Sequence, residues 1–529
     1  MKSIIADNRL LFLFTGFVGL LCAAALGVFA LKLGGLVDLI GQDQNSLLYQ
    51  LFVCVGIIAC WFLFSLAYNA LRAFYAYRVI NQTKSGLYAG INRLRLSEYE
   101  SKPNEYYLNI FTKKFDILHE NYLVPKCNMV ADAASAIVSI SLIFWISWKL
   151  ALSFIAVTLV TIVISQLPGV IMAKKTEVFS KKNAQYLKVI NNHLRGFEQI
   201  KLLGLFPNFQ HVYLDTDKEF ESSRRGYYAT SWSADSFGIF VSFLAQLFCF
   251  GVGVYFVIYG DLTIGMLIAA INLLNNVFNP VQSFVHSKNL MGTVSEIFDS
   301  FNELLTVPQE SGAALNTCVE KIEYQDVAVT LPSGRNLVSG FNYRFEKGKR
   351  YAIVGESGSG KSTLMKLLMG YYDPGFFTGK VLINEARRET LLPADLFSRI
   401  AYIQRNDFFI PGTVEDNITL NRDCAAPVEL YAQLKISTEL RSQKIEEGAR
   451  HQISQGEKQR IDMARFLIND YDVLIFDEPS TNLDPKTSEL VFDYILGITD
   501  KIVIVITHEP SASLLSRFDS TFNIKNYQS

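Results

Sequence analysis

Six apolar stretches, each close to the length of a membrane helix, lie within the first 285 positions of this 529-residue chain. A helix needs about 20 mostly apolar residues to cross the hydrocarbon core of a bilayer. The stretches are Leu10–Leu31, Leu47–Tyr68, Ala131–Trp148, Leu150–Met172, Phe237–Tyr259 and Ile264–Val285. The third and fourth follow each other so closely that one helix would be nearly twice the bilayer thickness, so a tight hairpin is predicted. The pattern predicts an all-α, six-helix transmembrane domain.

Basic residues predict the orientation of these helices. Eight Lys/Arg lie between Arg78 and Lys126, and the segment from Lys174 to Arg225 is also rich in them. The three other connections, 41–46, 147–149 and 260–263, contain one basic residue between them. Because cytoplasmic segments carry the excess of Lys and Arg, we expect a multi-pass protein of the cytoplasmic membrane. Both termini and both long segments should be cytoplasmic.

The two long basic segments and the C-terminal half indicate further structure. Apolar and charged residues alternate at helical spacing in 81–100 and 181–204, which predicts helices extending from the membrane into the cytoplasm. Beyond the transmembrane domain (1–308), a polar linker at 309–319 leads to a region (320–529) where short β-rich runs alternate with helical patterns. The runs are RYAIVG, KVLI, IAYI, DVLIFDEP and KIVIVIT. This alternation predicts an α/β domain with a largely parallel sheet.

One phosphate-binding motif stands out in the second domain. The sequence GESGSGKST follows the apolar run YAIV and precedes a helical pattern, as a P-loop does. Backbone N–H groups of such a loop wrap phosphates. Lys361 would reach the β- and γ-phosphates, and Ser362 would bind Mg²⁺. The predicted nucleotide-binding residues in this motif are Gly355, Glu356, Ser357, Gly358, Ser359, Gly360, Lys361, Ser362 and Thr363.

A pair of carboxylates ends a second apolar run, YDVLIFDEPSTNLD. Asp477 would lie at the carboxyl end of the strand, near Mg²⁺, and Glu478 would polarise the attacking water. An isolated Asp-Glu pair after a strand is more often a loop cap. Downstream of a P-loop, the catalytic interpretation is favoured.

The region from about 320 to 529 resembles the ABC ATPase family. The resemblance rests on Gln404 in YIQRNDFFIPGTVEDNI, on ISQGEKQR at 453–460 and on His508. It implies ATP and Mg²⁺ as cofactors, with Gln404 linking the metal to the membrane domain and His508 holding the γ-phosphate and attacking water. The implied metal ligands are Ser362, Gln404 and Asp477, and the implied catalytic residues are Glu478, His508 and Lys361.

The resemblance further implies that two such domains close around two nucleotides. Ser454, Gln455, Gly456 and Glu457 form the signature segment, which would contact the ATP of a partner chain. Gln455 stands where the family usually has glycine, and the charge of Glu457 is also unusual. Leu331 stands near the usual adenine-stacking position, and the segment between Gln404 and Ile453 is short. We expect a functional P-loop and a weak signature, in either a heterodimer or a homodimer of half-transporters.

The order of six spans followed by an ATPase domain resembles the exporter branch of the ABC family. The segment 103–123 resembles the first intracellular loop of Gram-positive bacteriocin and peptide exporters, with Lys113 and Lys114 in place of their usual Asn-Asp. The implied function is ATP hydrolysis coupled to efflux by alternating access, with a peptide or bacteriocin-like cargo. Alternatives are a multidrug or lipid exporter, or an ATP-gated channel or sensor. The near-zero net charge and the spans argue against a nucleic-acid partner.

Overall fold

The computed structural model describes the chain in two compact units. The described residues are 1–40, 44–165, 167–309, 311–330, 336–356, 358–372, 374–406, 408–420, 422, 427–446, 453–481, 483–508 and 511–527. The first unit comprises Met1–Tyr88 and Tyr107–Leu305, and the second comprises Ala89–Tyr106 and Thr306–Ser529. A short segment between the second and third spans therefore groups with the C-terminal half. The domain boundaries expected at 308 and 320 stay predictions.

Thirteen described helices precede the first strand. They are α1 (Lys2–Asp7), α2 (Arg9–Asp38), α3 (Gln44–Ile91), α4 (Leu96–Glu100), α5 (Asn104–Phe111), α6 (Lys113–Leu118), α7 (Val124–Ile146), α8 (Trp148–Ser165), α9 (Gly169–Arg195), α10 (Phe197–Leu202), α11 (Phe206–Ile258), α12 (Ile264–Gly292) and α13 (Ser295–Leu305). One π-helical turn, His119–Leu123, joins α6 to α7.

Five helical segments among the described residues are long and apolar enough to cross a membrane, and a sixth is shorter. The long ones are Arg9–Asp38, Gln44–Ile91, Asn104–Ile146, Phe206–Ile258 and Ile264–Gly292, and the shorter one is Trp148–Thr161. The shorter helix lies in the predicted fourth span, where α8 has 18 residues. At 1.5 Å per residue it is about 27 Å long, close to the roughly 30 Å hydrocarbon thickness. The hairpin predicted before it is confirmed, because Ser147 is extended, with φ −161° and ψ 120°.

Helices α2 and α12 approach each other closely where both have glycine. A Cβ added to Gly34 would lie 2.3 Å from the carbonyl oxygen of Gly265. One turn further along α2, Asp38 accepts hydrogen bonds from Thr263 Oγ1 (2.8 Å) and from the backbone N–H of Gly265 (2.9 Å). These bonds satisfy donors at the start of α12 that have no partner within the helix. Asp38 therefore has a structural role at this helix end.

The predicted helical extensions beyond the apolar spans are confirmed, while their cytoplasmic location stays a prediction. Helix α3 continues to Ile91, and α9 and α11 pair along their lengths beyond the apolar stretches. A ladder of aromatic rings joins α9 to α11: Phe179 stacks on Tyr227 at 5.0 Å, and Tyr186 stacks on Phe220 at 4.7 Å. Stacked aromatic pairs contribute about 0.5–1.5 kcal/mol beyond area burial, which stabilises this helix pair outside the apolar spans.

The second unit contains the strands. They are β1 (Lys321–Thr330), β2 (Asn336–Glu346), β3 (Arg350–Val354), β4 (Phe377–Ile383), β5 (Ala386–Arg387), β6 (Ile400–Ile403), β7 (Gly412–Thr413), β8 (Lys444–Ile445), β9 (Val473–Asp477), β10 (Ile502–Thr507) and β11 (Ser520–Asn523). Its helices are α14 (Lys361–Leu368), α15 (Pro393–Arg399), α16 (Val414–Thr419), α17 (Val428–Gln433), α18 (Thr438–Ser442), α19 (Gln455–Leu467), α20 (Pro485–Gly497) and α21 (Ala512–Leu515).

The strands form a parallel and an antiparallel sheet. The parallel sheet has the order β11-β3-β10-β9-β6, and the antiparallel sheet has the order β2-β1-β4-β5. The run KVLI, expected in the parallel sheet, belongs to β4 of the antiparallel sheet, since β4 pairs with β1 in the antiparallel direction. Strands β3, β9 and β10 are almost wholly buried and apolar, as in sheets covered on both faces. Their carboxyl ends lie at one edge of the sheet, where parallel sheets bind ligands.

Candidate functional site

The P-loop joins β3 to α14 and turns on glycines in left-handed conformations. Gly358 has φ 76° and Gly360 has φ 97°, a region that residues with a Cβ rarely adopt. Lys361 begins α14 and is 4% exposed. Its Nζ donates to the carbonyl oxygens of Gly355 (2.7 Å) and Glu356 (2.8 Å). The backbone carbonyls of the loop thus fix the position of the lysine ammonium group. Ser357 lies outside the described residues.

Three predicted catalytic residues meet at this edge. Glu478 follows β9 and His508 follows β10, and His508 Nε2 forms an ion pair with Glu478 Oε1. His508 Nδ1 lies 3.1 Å from the Gly355 carbonyl oxygen and 3.5 Å from Lys361 Nζ. His508 Nε2 thus faces a carboxylate oxygen, and Nδ1 lies between a backbone carbonyl oxygen and the lysine ammonium. Burial lowers the pKa of Lys361, while the charges of Glu478 and Asp477 act in the opposite direction.

Glu478 is held in an unusual backbone conformation. Its φ is 54°, although it carries a side chain. Its N–H donates to the Ile506 carbonyl oxygen at 2.9 Å, and its own carbonyl accepts from Gln459 Nε2 at 2.9 Å. Left-handed non-glycine residues are strained and persist where surrounding bonds fix them, often at functional sites. The sheet and α19 together aim this carboxylate at His508.

The predicted metal ligands are only partly brought together. The Tyr402 hydroxyl donates to Asp477 Oδ2 at 2.5 Å and also hydrogen-bonds with Ser362. Burial and the negative charge of Asp477 raise the pKa of Tyr402, so this phenol stays a donor. Gln404 follows β6 and lines one small cavity with Asp477. Within the described part of the chain, its side chain makes no hydrogen bond to Asp477 or Ser362.

The signature segment forms the start of α19. Ser454 is the N-cap; its hydroxyl donates to Glu457 Oε2 at 2.7 Å, and its backbone N–H donates to the same oxygen at 2.8 Å. The Glu457 N–H donates to Ser454 Oγ at 3.3 Å, which completes a capping box. Gln455 and Gly456 are the first two residues of the helix. The unusual Glu457 is therefore explained as part of the helix cap. Its carboxylate accepts the hydrogen bond of the Ser454 hydroxyl, the group that the family resemblance implies would contact a partner's phosphate.

A buried ion pair connects α19 to the segment after Gln404, and the motifs did not indicate it. Arg465 Nη1 donates to Asp462 Oδ1 at 2.9 Å, with side-chain exposures of 7% and 3%. Arg465 also donates to the carbonyl oxygens of Asn417 (2.8 Å) and Phe408 (3.0 Å). The backbone N–H of Asn406 donates to Asp462 Oδ2 at 3.0 Å. The only sequence signal was a polar pair three residues apart on an otherwise buried helix face.

Two features define the chain as an ATP-binding membrane transporter. One is a parallel sheet that carries a P-loop, a strand-end Asp-Glu pair and a histidine. The other is a unit of apolar, membrane-length helices. Residues 12–281 match the family described as "ABC transporter transmembrane region", and residues 338–481 match the family described as "ABC transporter". The chain therefore belongs to the ABC transporters, the class of ATP-hydrolysing transporters, and it joins both regions in one polypeptide.

Known relatives agree with this assignment. The chain is 26% identical over 339 residues to the lactococcin-G-processing and transport ATP-binding protein LagD of Lactococcus lactis, covering 60% of this chain and 47% of that protein. It is 25% identical over 511 residues to an export ATP-binding/permease protein of Rickettsia conorii, covering 90% and 84%. The match thus spans about half of LagD and most of the Rickettsia protein. The expected resemblance to bacteriocin exporters is confirmed.

One solved structure shows the same fold. It is a bacterial Atm1-family ABC exporter with ATP bound, which is 18% identical and has a TM-score of 0.81. The comparison covers 99% of this chain and 94% of the other. The predicted fold, a helical exporter-type membrane domain joined to an α/β ATPase domain, is confirmed.

Proposed function

We propose that the chain is half of an ATP-driven exporter that moves a peptide or bacteriocin-like cargo across the cytoplasmic membrane by alternating access. The observation that carries the proposal is the meeting of Lys361, Glu478 and His508 at one sheet edge, in a chain with membrane-length apolar helices. The basic segments support an orientation with both termini and the ATPase domain in the cytoplasm.

The residues of the site have separate tasks in hydrolysis. Backbone N–H groups of the P-loop bind the phosphates of ATP, and Lys361 exchanges its carbonyl partners for the β- and γ-phosphates. The Glu478 carboxylate accepts a hydrogen bond from the attacking water and orients it. His508 keeps Glu478 as the partner of Nε2 and exchanges the Gly355 carbonyl oxygen for the γ-phosphate at Nδ1. Because the charge on the transferred phosphoryl group is spread over its oxygens, fixed donors are the main contribution of the protein.

Mg²⁺ fits the donors at the carboxyl end of β9. Ser362 and Asp477 offer hard oxygen ligands, which this ion prefers, and Tyr402 bonds to both. The ion would neutralise phosphate charge. Gln404, next to Asp477 in the same small cavity, is the third proposed ligand.

Tyr402→Phe tests the positioning of Asp477. The variant removes the hydroxyl that holds the Asp477 carboxylate and leaves the ring. Loss of a bond that orients a metal ligand typically lowers metal affinity or activity by about 10- to 100-fold. We expect about tenfold more Mg²⁺ at half-maximal ATPase rate, with most of kcat recovered at saturating Mg²⁺. An unchanged Mg²⁺ titration would show that Tyr402 only packs; Tyr431→Phe, a phenol bonded to Glu415 elsewhere, is the matched control.

A partner chain is part of the proposal. Ser454, Gln455, Gly456 and Glu457 would contact the partner's ATP, as in the family. Around α10, large apolar side chains of the first unit are exposed, among them Leu202 (78%) and Leu203 (70%). Exposed apolar clusters mark interaction sites, which supports a second half-transporter. The partner is either a second copy of this chain or a different half-transporter.

Glu457→Gln is expected to strengthen the signature. The amide keeps the capping geometry, but it removes a negative charge next to Ser454 Oγ, the proposed donor to a γ-phosphate. A charge-assisted bond contributes about twice as much as a neutral one, so the glutamate competes strongly for the hydroxyl. We predict a several-fold higher ATP affinity at the site the signature completes, measured with a fluorescent ATP analogue on the assembled complex. Lower affinity in this variant would contradict a weak signature; Glu439→Gln serves as the control.

Transport into inside-out vesicles tests the function itself. A labelled bacteriocin-like peptide and a cationic dye are offered side by side, with ATP or with a non-hydrolysable analogue. We expect ATP-dependent accumulation of the peptide. Accumulation of the dye alone would indicate the multidrug alternative, and flux that does not require hydrolysis would indicate an ATP-gated channel.

A further inference from the structure

A group of polar side chains lies among the membrane helices, apart from the nucleotide site. Its members are Tyr68, Arg72 and Tyr75 on α3, Asn128 and Asp132 on α7, and Ser283 on α12. Three of their polar atoms, Tyr68 Oη, Tyr75 Oη and Asp132 Oδ2, are buried and have no hydrogen-bond partner among the residues described. A buried polar atom without a partner costs about 1–3 kcal/mol, so the group is destabilised as it stands.

Asp132 is the acidic member of the group. In the sequences of α2, α3, α7 and α12 the carboxylates are Asp132 and Asp38, and Asp38 caps the other end of the helix pair α2–α12. Ser283 hydrogen-bonds to the Asp132 side chain, yet Oδ2 has no partner among the described side chains. A carboxylate within a membrane helix is expensive and is a functional candidate.

The nearby cations have other partners. Arg72 Nη1 donates to Asn128 Oδ1 at 2.8 Å, and its guanidinium lies 5.6 Å from the centre of the Tyr68 ring. Lys126 lies 4.8 Å from the centre of the Phe12 ring. In the described ranges, neither cation forms an ion pair with Asp132. The carboxylate is therefore not neutralised by a direct contact with a charged residue in the described part of its unit.

The surroundings of Asp132 suit a positively charged donor. Asn128 and Asp132 are one turn apart on α7, as are Tyr68 and Arg72 on α3, and these four side chains are half-buried. A cation placed at Asp132 Oδ2 would form a charge-assisted hydrogen bond.

We propose that Asp132, with Tyr68 beside it, binds a primary ammonium or guanidinium group of the exported cargo. The cargo class is then a cationic peptide, which rests on the proposed export function. The cargo group supplies a donor to Asp132 Oδ2. Arg72 keeps its hydrogen bond to Asn128 and does not compete for the carboxylate. These residues lie near the ends of the apolar spans that the basic segments assign to the cytoplasmic side, where cargo enters an exporter.

The test uses the assembled transporter in proteoliposomes and two fluorescent decapeptides. The peptides are identical, except that the lysines and the N-terminus are free in one and acetylated in the other. We expect the wild type to take up the free peptide with at least about tenfold lower KM, or about 1.4 kcal/mol. Asp132→Asn should abolish this preference, and Asp132→Glu should restore part of it. Asp261→Asn, an exposed carboxylate paired with Lys149, is the control that should keep the preference.

Equal KM values for the two peptides in the wild type would overturn the inference without any variant. A retained preference in Asp132→Asn would also overturn it, since the charge would then be recognised elsewhere. If an Asp132 variant fails to assemble, the comparison of the two peptides in the wild-type transporter still tests the inference. The variant Tyr68→Phe, which keeps the ring, can be compared in the same way. Absence of ATP-dependent uptake of both peptides by the wild type would count against peptide export itself, a result distinct from uptake without preference.

Discussion

Replacing Glu478 by glutamine should reduce steady ATP hydrolysis by the assembled complex by about 100- to 10,000-fold, the range contributed by a positioned acid–base group. The amide has the same shape but cannot accept the proton from the attacking water, and it replaces the carboxylate oxygen that contacts His508. Lys361 and the P-loop backbone are untouched, so ATP affinity should change by less than about threefold. Single-turnover hydrolysis and nucleotide binding, measured on the same preparation, separate the two effects.

Glu489→Gln provides the matched control, because Glu489 is an exposed glutamate of α20 in the same unit. It should hydrolyse ATP as the wild type does. Undiminished hydrolysis in Glu478→Gln would place the activity in the partner's site or refute the role of Glu478. Substituting the partner's own glutamate in the same complex distinguishes these outcomes, since activity that survives both changes refutes it.

Replacing Arg465 by leucine should destabilise the ATPase unit by about 3–5 kcal/mol, because breaking a buried ion pair leaves an uncompensated charge. Asp462 would lose its cation, and two backbone carbonyls, of Asn417 and Phe408, would lose their donors. For a unit of this size, the apparent Tm of the full chain in detergent should fall by about 10 °C. Burial lowers the pKa of Arg465, but guanidinium groups stay protonated, so this loss is not a pH effect.

Two further variants show that the charge is responsible. Adding Asp462→Asn to Arg465→Leu removes the orphaned charge and keeps an oxygen for the Asn406 N–H, so we expect at least half of the lost Tm to return. Arg517→Leu breaks an exposed ion pair with Asp493 and should change stability by less than about 1 kcal/mol. Equal Tm values for the buried and exposed variants would contradict the structural role of Arg465.

Much of the fold could be predicted from the spacing of apolar residues and from composition. Spans of about 20 apolar residues and alternating β-runs predicted the two architectures, and the break near Ser147 followed from the length of one apolar block. The run KVLI was assigned to the wrong sheet, because an apolar run does not reveal whether its partner strand is parallel or antiparallel. The close approach of Gly34 to Gly265 was also hidden, since it depends on how two distant helices cross.

The sequence also predicted some residues of the nucleotide site and missed others. Lys361, Asp477, Glu478 and His508 could be predicted to meet, because the carboxyl ends of parallel strands share one edge. Their motifs also have fixed spacing from those strands. Tyr402, in contrast, bonds to a residue 75 positions away, and its strand position gave no sign of a partner. The prediction for Leu331 concerns a residue outside the described ranges.

The P-loop of this chain is expected to bind ATP. Nucleotide binding to the purified complex in detergent tests this expectation most directly. Titration with ATP, with and without Mg²⁺, should give a Mg²⁺-dependent Kd of roughly 1 μM to 1 mM, the usual KM range. Lys361→Ala should weaken that binding by at least about tenfold, because the Lys361 ammonium lies against the P-loop carbonyls and would donate to the phosphates. A complex that is folded, contains both half-transporters and shows no Mg²⁺-dependent affinity for ATP would contradict the account.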